Sequence, residues 1–255
     1  MRVTLLRHAT LVVEVGGLTL LVDPMLSDAE AMDPVMDSPV TRRIPMVPLP
    51  LGPAELARLV SGLDAVLLTH SHRDHWDARA REILPRTLPV ICQPADRGEL
   101  RAGGFHAAMA VDDVGAWRGV RFARTGGRHG TGEVGERMGQ VSGFVVDVPG
   151  EPSLYVAGDT IWCPEVEAAL AAHRPAVVVV NAGAAQFNAG GPITMSAEDV
   201  AEVCRHAPGA AVVAVHMEAV NHCLLTREAL RRHLEAAGLE GRVAIPADGE
   251  EAFSG

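Results

Sequence analysis

Three histidines and an aspartate stand within six residues at His70, His72, Asp74 and His75, inside the stretch THSHRDHW. Imidazoles and carboxylates are metal donors, and donors this dense rarely arise from packing. In extended chain, residues two apart project to the same side, so His70 and His72 can share one ion. Asp74 and His75 follow in the next turn and point elsewhere, toward a second ion nearby. Zinc and similar ions accept this donor mix, and a catalytic site leaves room for water. Each ion then needs a third protein donor.

The partners are sought where strands end. DAVLLTH ends at His70, SLYVAGD at Asp159 and AAVVAVH at His216. Ligands gather where strand ends open into loops. Asp159 has a carboxylate able to bridge both ions, and His216 can complete the second site. His129, in GRHG between glycines and a strand, is a loop candidate for the first. Two positions stay open: His106 shares the window of His129, and His222 follows His216 by six residues.

The elements that must position these residues read as a mixed α/β chain. Residues 11–23 form two short strands joined by Gly16-Gly17, where positive φ suits a tight hairpin. Apolar runs in DAVLLTH, PVICQ, GVRFART, SGFVVDV, SLYVAGD, AVVVVN, AAVVAVH and RVAIP supply further strands. Helices are expected at 54–61, 164–173, 197–207 and 227–237. Ser196 and Thr226 are N-caps, Asp199 completes a capping box, and Gly238 stops the last helix. Residues 27–53 carry six prolines and little periodicity, so they form a loop. Long loops in compact domains are often lids, though a surface excursion is an equal reading. Hairpins beside crossovers suggest mixed sheets sandwiched by helices. One domain over 1–255 is expected, with the Pro-rich loop at 27–53.

Bulk properties narrow the function. The chain has 255 residues, 48% of them hydrophobic, and a formal net charge of -10. Such a surface repels phosphate backbones, so no nucleic-acid partner is expected. The four cysteines are scattered without a C-x-x-C pair. No apolar run reaches the roughly 18 residues of a membrane span, and the N-terminus lacks a secretory pattern. The expectation is a cytoplasmic protein acting on a small molecule, with assembly into a homo-oligomer left open.

The order H-x-H-x-D-H after a strand, a distant His, Gly-Asp at a strand end and a strand-terminal His resembles the metallo-β-lactamase superfamily, over roughly residues 1–220. The resemblance implies a four-layer αββα sandwich, two mixed β-sheets flanked by helices, with a dinuclear site at one edge. Carried over, His70, His72 and His129 hold the first metal, Asp74, His75 and His216 the second, and Asp159 bridges. The opening RVTLLRHATLVVEVGGLTLLVDP and the segment GGPITMSAEDV are similar to the branch containing L-ascorbate 6-phosphate lactonases and N-acyl-phosphatidylethanolamine phospholipase D. His8 matches that branch's early histidine, as a neighbour of the ligands or a hydrogen-bonded core residue. The cofactor expected is a pair of divalent ions, zinc first, with manganese or iron also suited to these donors.

Two such ions share a hydroxide at neutral pH while polarising a carbonyl or phosphoryl oxygen. Asp74 is expected to orient the hydroxide as well as to ligate, and His222 to protonate the leaving group. Arg42, Arg43, Arg73 and Arg128 suit an anionic substrate, a lactone, ester or phosphodiester. The alternatives are a mononuclear-iron dioxygenase of the same superfamily and a non-catalytic metal-binding module. Trp76 and Tyr155 are expected in the core.

Overall fold

β2 (Thr10–Val15) and β3 (Leu18–Val22) make the expected hairpin, with Gly16 and Gly17 at φ 59° and 72°. Both central residues at positive φ match the right-handed twist of the flanking strands. The computed structural model describes residues 1–255. β1 (Arg2–Arg7) pairs antiparallel with β2 and extends the hairpin. Parallel strands then follow β3: β4 (Ala65–Leu68), β5 (Val90–Cys92) and β6 (Ala108–Ala110). With β14 (Glu251–Ser254) at the other edge, the first sheet has the order β14-β1-β2-β3-β4-β5-β6.

The second sheet repeats this plan. β7 (Val114–Trp117), β8 (Val120–Thr125), β9 (Gly143–Asp147) and β10 (Leu154–Val156) are antiparallel. β11 (Val177–Asn181), β12 (Ala211–Val215) and β13 (Val243–Ala244) continue in parallel. The two seven-stranded sheets face each other across a core that includes Leu5, Leu20 and Leu67 from one and Phe122, Phe144 and Val179 from the other. The valine runs VVVVN and AVVAV are buried on both faces, because helices cover the outer side. α5 (Pro164–His173), α6 (Ala197–His206) and α7 (Arg227–Ala236) cover the second sheet through Val166, Leu170, Val200 and Leu230. α1 (Pro53–Ser61), α2 (Ala78–Ile83) and α3 (Arg97–Ala102) cover the first. The result is the four-layer αββα sandwich, an α/β architecture.

Local signals fall where expected. Ser196 Oγ accepts from Asp199 N–H, and Asp199 Oδ2 accepts from Ser196 N–H. Thr226 Oγ1 caps α7 by accepting from Ala229 N–H, and Gly238 follows that helix at φ 67°. Trp76 and Tyr155 are buried. Three short helices were not legible in periodicity: α2, α3 and α4 (Gly132–Met138) have six, six and seven residues, fewer than two turns. α4 changes the setting of His129, whose loop runs from β8 into a helix. Asp77 caps the N-terminus of α2: its Oδ1 accepts from Ala80 N–H and its Oδ2 from Ser27 N–H. No helix is long and apolar enough to cross a membrane.

The expected loop at 27–53 has no helix or strand before Pro53, which opens α1, only the Met32–Ile44 bridge. Its base is anchored by Arg7, fully buried, which donates to the carbonyls of Met25, Ser27 and Val47. Burial lowers the Arg7 pKa to about 10, opposed mainly by Asp77, so the guanidinium stays charged at neutral pH.

Candidate metal centre

One edge of the sandwich collects the carboxyl ends of strands running the same way. Asp23 follows β3, His70 follows β4, His129 lies beyond β8, Asp159 beyond β10, and His216 follows β12. His8 follows β1, and Asn181 closes β11. Parallel strands place their loops on a common side, which is why distant residues meet there. The cost is local backbone strain: His8, Asp23 and His216 have φ of 61°, 43° and 66°. Left-handed backbone at a non-glycine residue persists only where the surroundings hold it. His216 N–H donates to His8 O at 2.8 Å, tying two of these turns together.

Two glycines permit the close approach. A Cβ on Gly183 would lie 2.3 Å from the His216 carbonyl oxygen. Gly158, at φ 70°, would bring a Cβ within 2.8 Å of Ser142 O, just before Asp159. Neither position accepts a side chain without moving backbone.

The donor atoms fall into three overlapping groups, each within 4.8 Å: His70, His72 and His129; His8, Asp74, His75 and His216; and His70, His75 and Asp159. Asp159 faces both sets. Its Oδ2 lies 3.3 Å from His75 Nε2, 3.4 Å from His129 Nε2 and 3.9 Å from His70 Nε2, and its Oδ1 lies 3.3 Å from His216 Nε2. The sequence-expected donors His70, His72, Asp74, His75, His129, Asp159 and His216 are thus brought together. His106 is not among them; it is exposed between α3 and β6. His222 is buried and lines the same cavity, but outside the three groups.

The outward faces of the rings decide the tautomers. His75 Nδ1–H donates to Asp23 Oδ2 at 2.9 Å, His129 Nδ1–H to Ile193 O at 2.7 Å and His70 Nδ1–H to Thr69 Oγ1 at 3.0 Å. His216 Nδ1 faces Cys223 Sγ, 3.5 Å away. Each ring therefore turns Nε2 inward, where it is a lone pair once no proton sits on it, the arrangement that metal-bound histidines adopt. His216 Nε2 and His75 Nε2 face each other at 3.3 Å, and His70 Nε2 faces His72 Nδ1 at 2.9 Å. Two lone pairs at such distances repel unless a proton or cation lies between them. The donor set therefore fits divalent cations.

Electrostatics point the same way. Burial favours the neutral acids, yet His75 and His8 hold Asp74 well below the usual carboxylate range, and His216 and His75 do so for Asp159. Burial disfavours protonated His75, but Asp159, Asp74 and Asp23 outweigh it and push its pKa well above the imidazole range. His216 is raised to about 10 against its burial, chiefly by Asp159. Two buried carboxylates thus draw positive charge into the cluster, and bound metal displaces such protons. His8 is different: burial, then His216, lower it to about 3. Neutral His8 donates Nε2–H to Asp74 Oδ2 at 3.2 Å, with its ring 3.6 Å from that of His216.

Several supporting residues escaped the sequence reading. Asp23 holds the backbone and hydroxyl of Thr69 as well as His75. Asn181 Nδ2 donates to Asp159 Oδ1 at 2.6 Å. Both end a strand with a polar residue after an apolar run, the signal that singled out His70 and His216, but neither was read as a ligand type in context. Ser71 donates to Asp96 Oδ1, fixing the turn between His70 and His72.

Above the cluster lies a cavity of about 280 Å³. It is lined by the polar side chains of His72, Asp74, His129, Asp159 and His222 and by the apolar ones of Val35, Met138, Phe187 and Ile193. Arg73 is the one arginine lining it. Arg42 pairs with Glu30, Arg43 with Asp33, and Arg128 with Glu165, all on the surface.

Comparison with known proteins agrees with this geometry. Residues 19–217 match the Beta-lactamase superfamily domain. The chain is 36% identical to UPF0173 protein YddR of Bacillus subtilis (strain 168) over 252 residues, 98% of each chain. An isothiocyanate hydrolase from Delia radicum gut bacteria superposes with a TM-score of 0.93, at 37% identity over 100% of both chains. A possible metal-dependent hydrolase from Veillonella parvula DSM 2008 gives a TM-score of 0.93, at 32% identity over 98% of both chains.

Proposed function

The chain belongs to the UPF0173 metal-dependent hydrolases of the beta-lactamase superfamily, and we propose that it uses two metal ions to hydrolyse a small, uncharged electrophile with an apolar tail, an isothiocyanate first among them. The observation that carries this reading is the cavity, whose lining joins the apolar side chains of Val35, Met138, Phe187 and Ile193 to residues of the His/Asp cluster. The isothiocyanate hydrolase similar to this chain supports the substrate class.

His70, His72 and His129 would hold the first ion, Asp74, His75 and His216 the second, with Asp159 between them. Bound there, divalent ions supply a hydroxide at neutral pH and a Lewis acid for the substrate's acceptor atom. Zinc leads, with manganese or iron as the other ions these donors suit. The chain's own groups do the rest. Asp74, fixed by His8, orients the attacking oxygen. The apolar wall packs the substrate's tail and excludes water from it. The oxygen of water bonds to the central carbon of R–N=C=S, the C–N bond breaks, and the two protons of water end on nitrogen, giving R–NH2 and O=C=S. Burial lowers His222 to about 4, so it acts as a neutral N–H donor to the substrate nitrogen rather than as an imidazolium acid.

An anionic lactone or phosphodiester is the second reading, and Arg73 at the cavity is the observation that favours it. Metal content by mass spectrometry on untagged protein comes first. Two zinc or manganese ions per chain, with release of amine from allyl and benzyl isothiocyanate, support the proposal. Turnover of phosphodiesters or lactones alone moves the substrate to the second reading. One iron per chain with oxygen uptake overturns both in favour of a dioxygenase, and metal without any turnover indicates a binding module.

A further inference from the structure

The 27–53 segment supplies Val35 to the cavity, yet it has almost no backbone ladder of its own. An irregular segment of this length needs partners for its polar groups. Beside the Arg7 anchor and the bonds within the segment, five bonds join it to residues 219–221. Val35 N–H donates to Asn221 Oδ1 at 2.8 Å, and Asn221 Nδ2 donates to Val35 O at 3.0 Å and Val40 O at 2.5 Å. Ser38 Oγ donates to Asn221 O at 3.1 Å, and Met46 N–H to Ala219 O at 2.7 Å. Asn221 is 1% exposed, and every side-chain bond it makes goes to this one segment.

The neighbours of this clamp form the cavity wall. His222 is the next residue, and its carbonyl accepts from Gln186 N–H at 3.0 Å. Phe187 follows, its ring 6.0 Å from that of His222. Asn188 N–H donates to Asp37 O at 2.6 Å, closing the circle back to the segment. Val35, Phe187 and His222 are therefore linked by a short ring of bonds in which the Asn221 amide is the side-chain member. Asn offers one acceptor and two donors on a short side chain; Asp would set an oxygen against two carbonyls.

We propose that Asn221 is a specificity-positioning residue: by clamping residues 35–40 to 219–222 it sets the width of the apolar wall and so the size of the tail the cavity admits. The proposal rests on the hydrolase reading for the identity of the substrate, but the wall can be measured without turnover.

The test uses metal-loaded Asn221→Ala beside wild type. Arg42 and Arg43 are exposed in the clamped segment and offer trypsin sites. Cleavage there should accelerate about ten-fold or more, the equilibrium equivalent of losing roughly one buried hydrogen bond, with metal content unchanged. Calorimetry with ethanethiol and phenylmethanethiol, whose thiolates bind a metal-loaded site, then reads the wall directly. Wild type should discriminate between the two tails, and Asn221→Ala should lose most of that ratio. Unchanged trypsin kinetics overturn the clamp; faster cleavage with unchanged discrimination overturns its link to specificity. Should Asn221→Ala fail to fold, Val35→Ala and Val35→Trp must shift the same ratio in opposite directions, or the wall assignment falls. Isothiocyanate turnover by wild type is scored separately, so failure of the substrate reading leaves this result standing.

Discussion

Exchanging Asp23 for Asn should weaken one metal site while leaving the fold in place. Asp23 is 1% exposed and accepts three hydrogen bonds: from Thr69 N–H at 2.8 Å, Thr69 Oγ1–H at 2.7 Å and His75 Nδ1–H at 2.9 Å. Asn is nearly isosteric and tolerates the φ of 43° found here. Its oxygen can keep the Thr69 N–H. Its NH2 then faces His75 Nδ1, where two donors meet. His75 resolves the conflict by moving its proton to Nε2, the nitrogen aimed at Asp159 and His216. A protonated Nε2 cannot ligate. His70 escapes, because Thr69 Oγ1 has a second lone pair for His70 Nδ1–H. Loss of a ligand's outer partner typically weakens metal binding about 10–100-fold. Zinc titration of metal-free protein against a competing chelator should therefore resolve two unequal sites in Asp23→Asn, with the weaker one shifted by that factor. Two sites with wild-type affinity would refute the tautomer argument. A loss of both ions together would refute the assignment of His70 and His75 to different ions.

Three further expectations follow from the same geometry. Burial lowers His222 from 6.5 to about 4; the folded value lies below the unfolded one, so its contribution of about 3 kcal/mol is present above pH 6.5 and lost as pH falls toward 4. Denaturant unfolding of metal-free His222→Asn should show a flatter fall over that window than wild type, and equal slopes would contradict a buried neutral imidazole. Gly183→Ala drives a Cβ into the His216 carbonyl and should cost about 3 kcal/mol or more, read as a lower Tm; an unchanged Tm would mean the β11 and β12 ends move freely. Arg73→Ala should leave KM for a neutral isothiocyanate unchanged and raise it about three- to ten-fold, in a salt-dependent way, for an anionic ester; an unchanged KM for the anionic ester would remove Arg73 as an anion-binding group.

Much of the site was readable because its information is local. His70, His72, Asp74 and His75 lie within six residues, and a strand followed by this spacing leaves few other uses for them. His216 and Asp159 were found because each follows an apolar run, and parallel strands of one sheet must end on a common side. The hairpin at Gly16-Gly17, the capping box of Ser196 and Asp199, and the long helices were legible for the same reason: turns, caps and periodicity are properties of neighbouring residues. The helices α2, α3 and α4 were not, since fewer than two turns carry no measurable period.

What the chain order could not decide was left to contacts between residues far apart. The resemblance preferred His129 to His106 for its Gly-flanked loop setting; what the sequence lacked was the bond of its ring to Ile193 O, across 64 residues, that aims it at the cluster. Asp23 serves His75 across 52 residues, and Asn221 clamps Val35 across 186. The arginines expected to attract an anion turned out to be paired on the surface, apart from Arg73, because side-chain partners are set by packing and not by proximity in sequence. The amino-acid sequence alone determined which donors exist and which strand ends carry them. Only the folded sheets brought those donors within reach of one another and set which partner each ring nitrogen meets and how wide the cavity is, because those depend on distances that no local spacing contains.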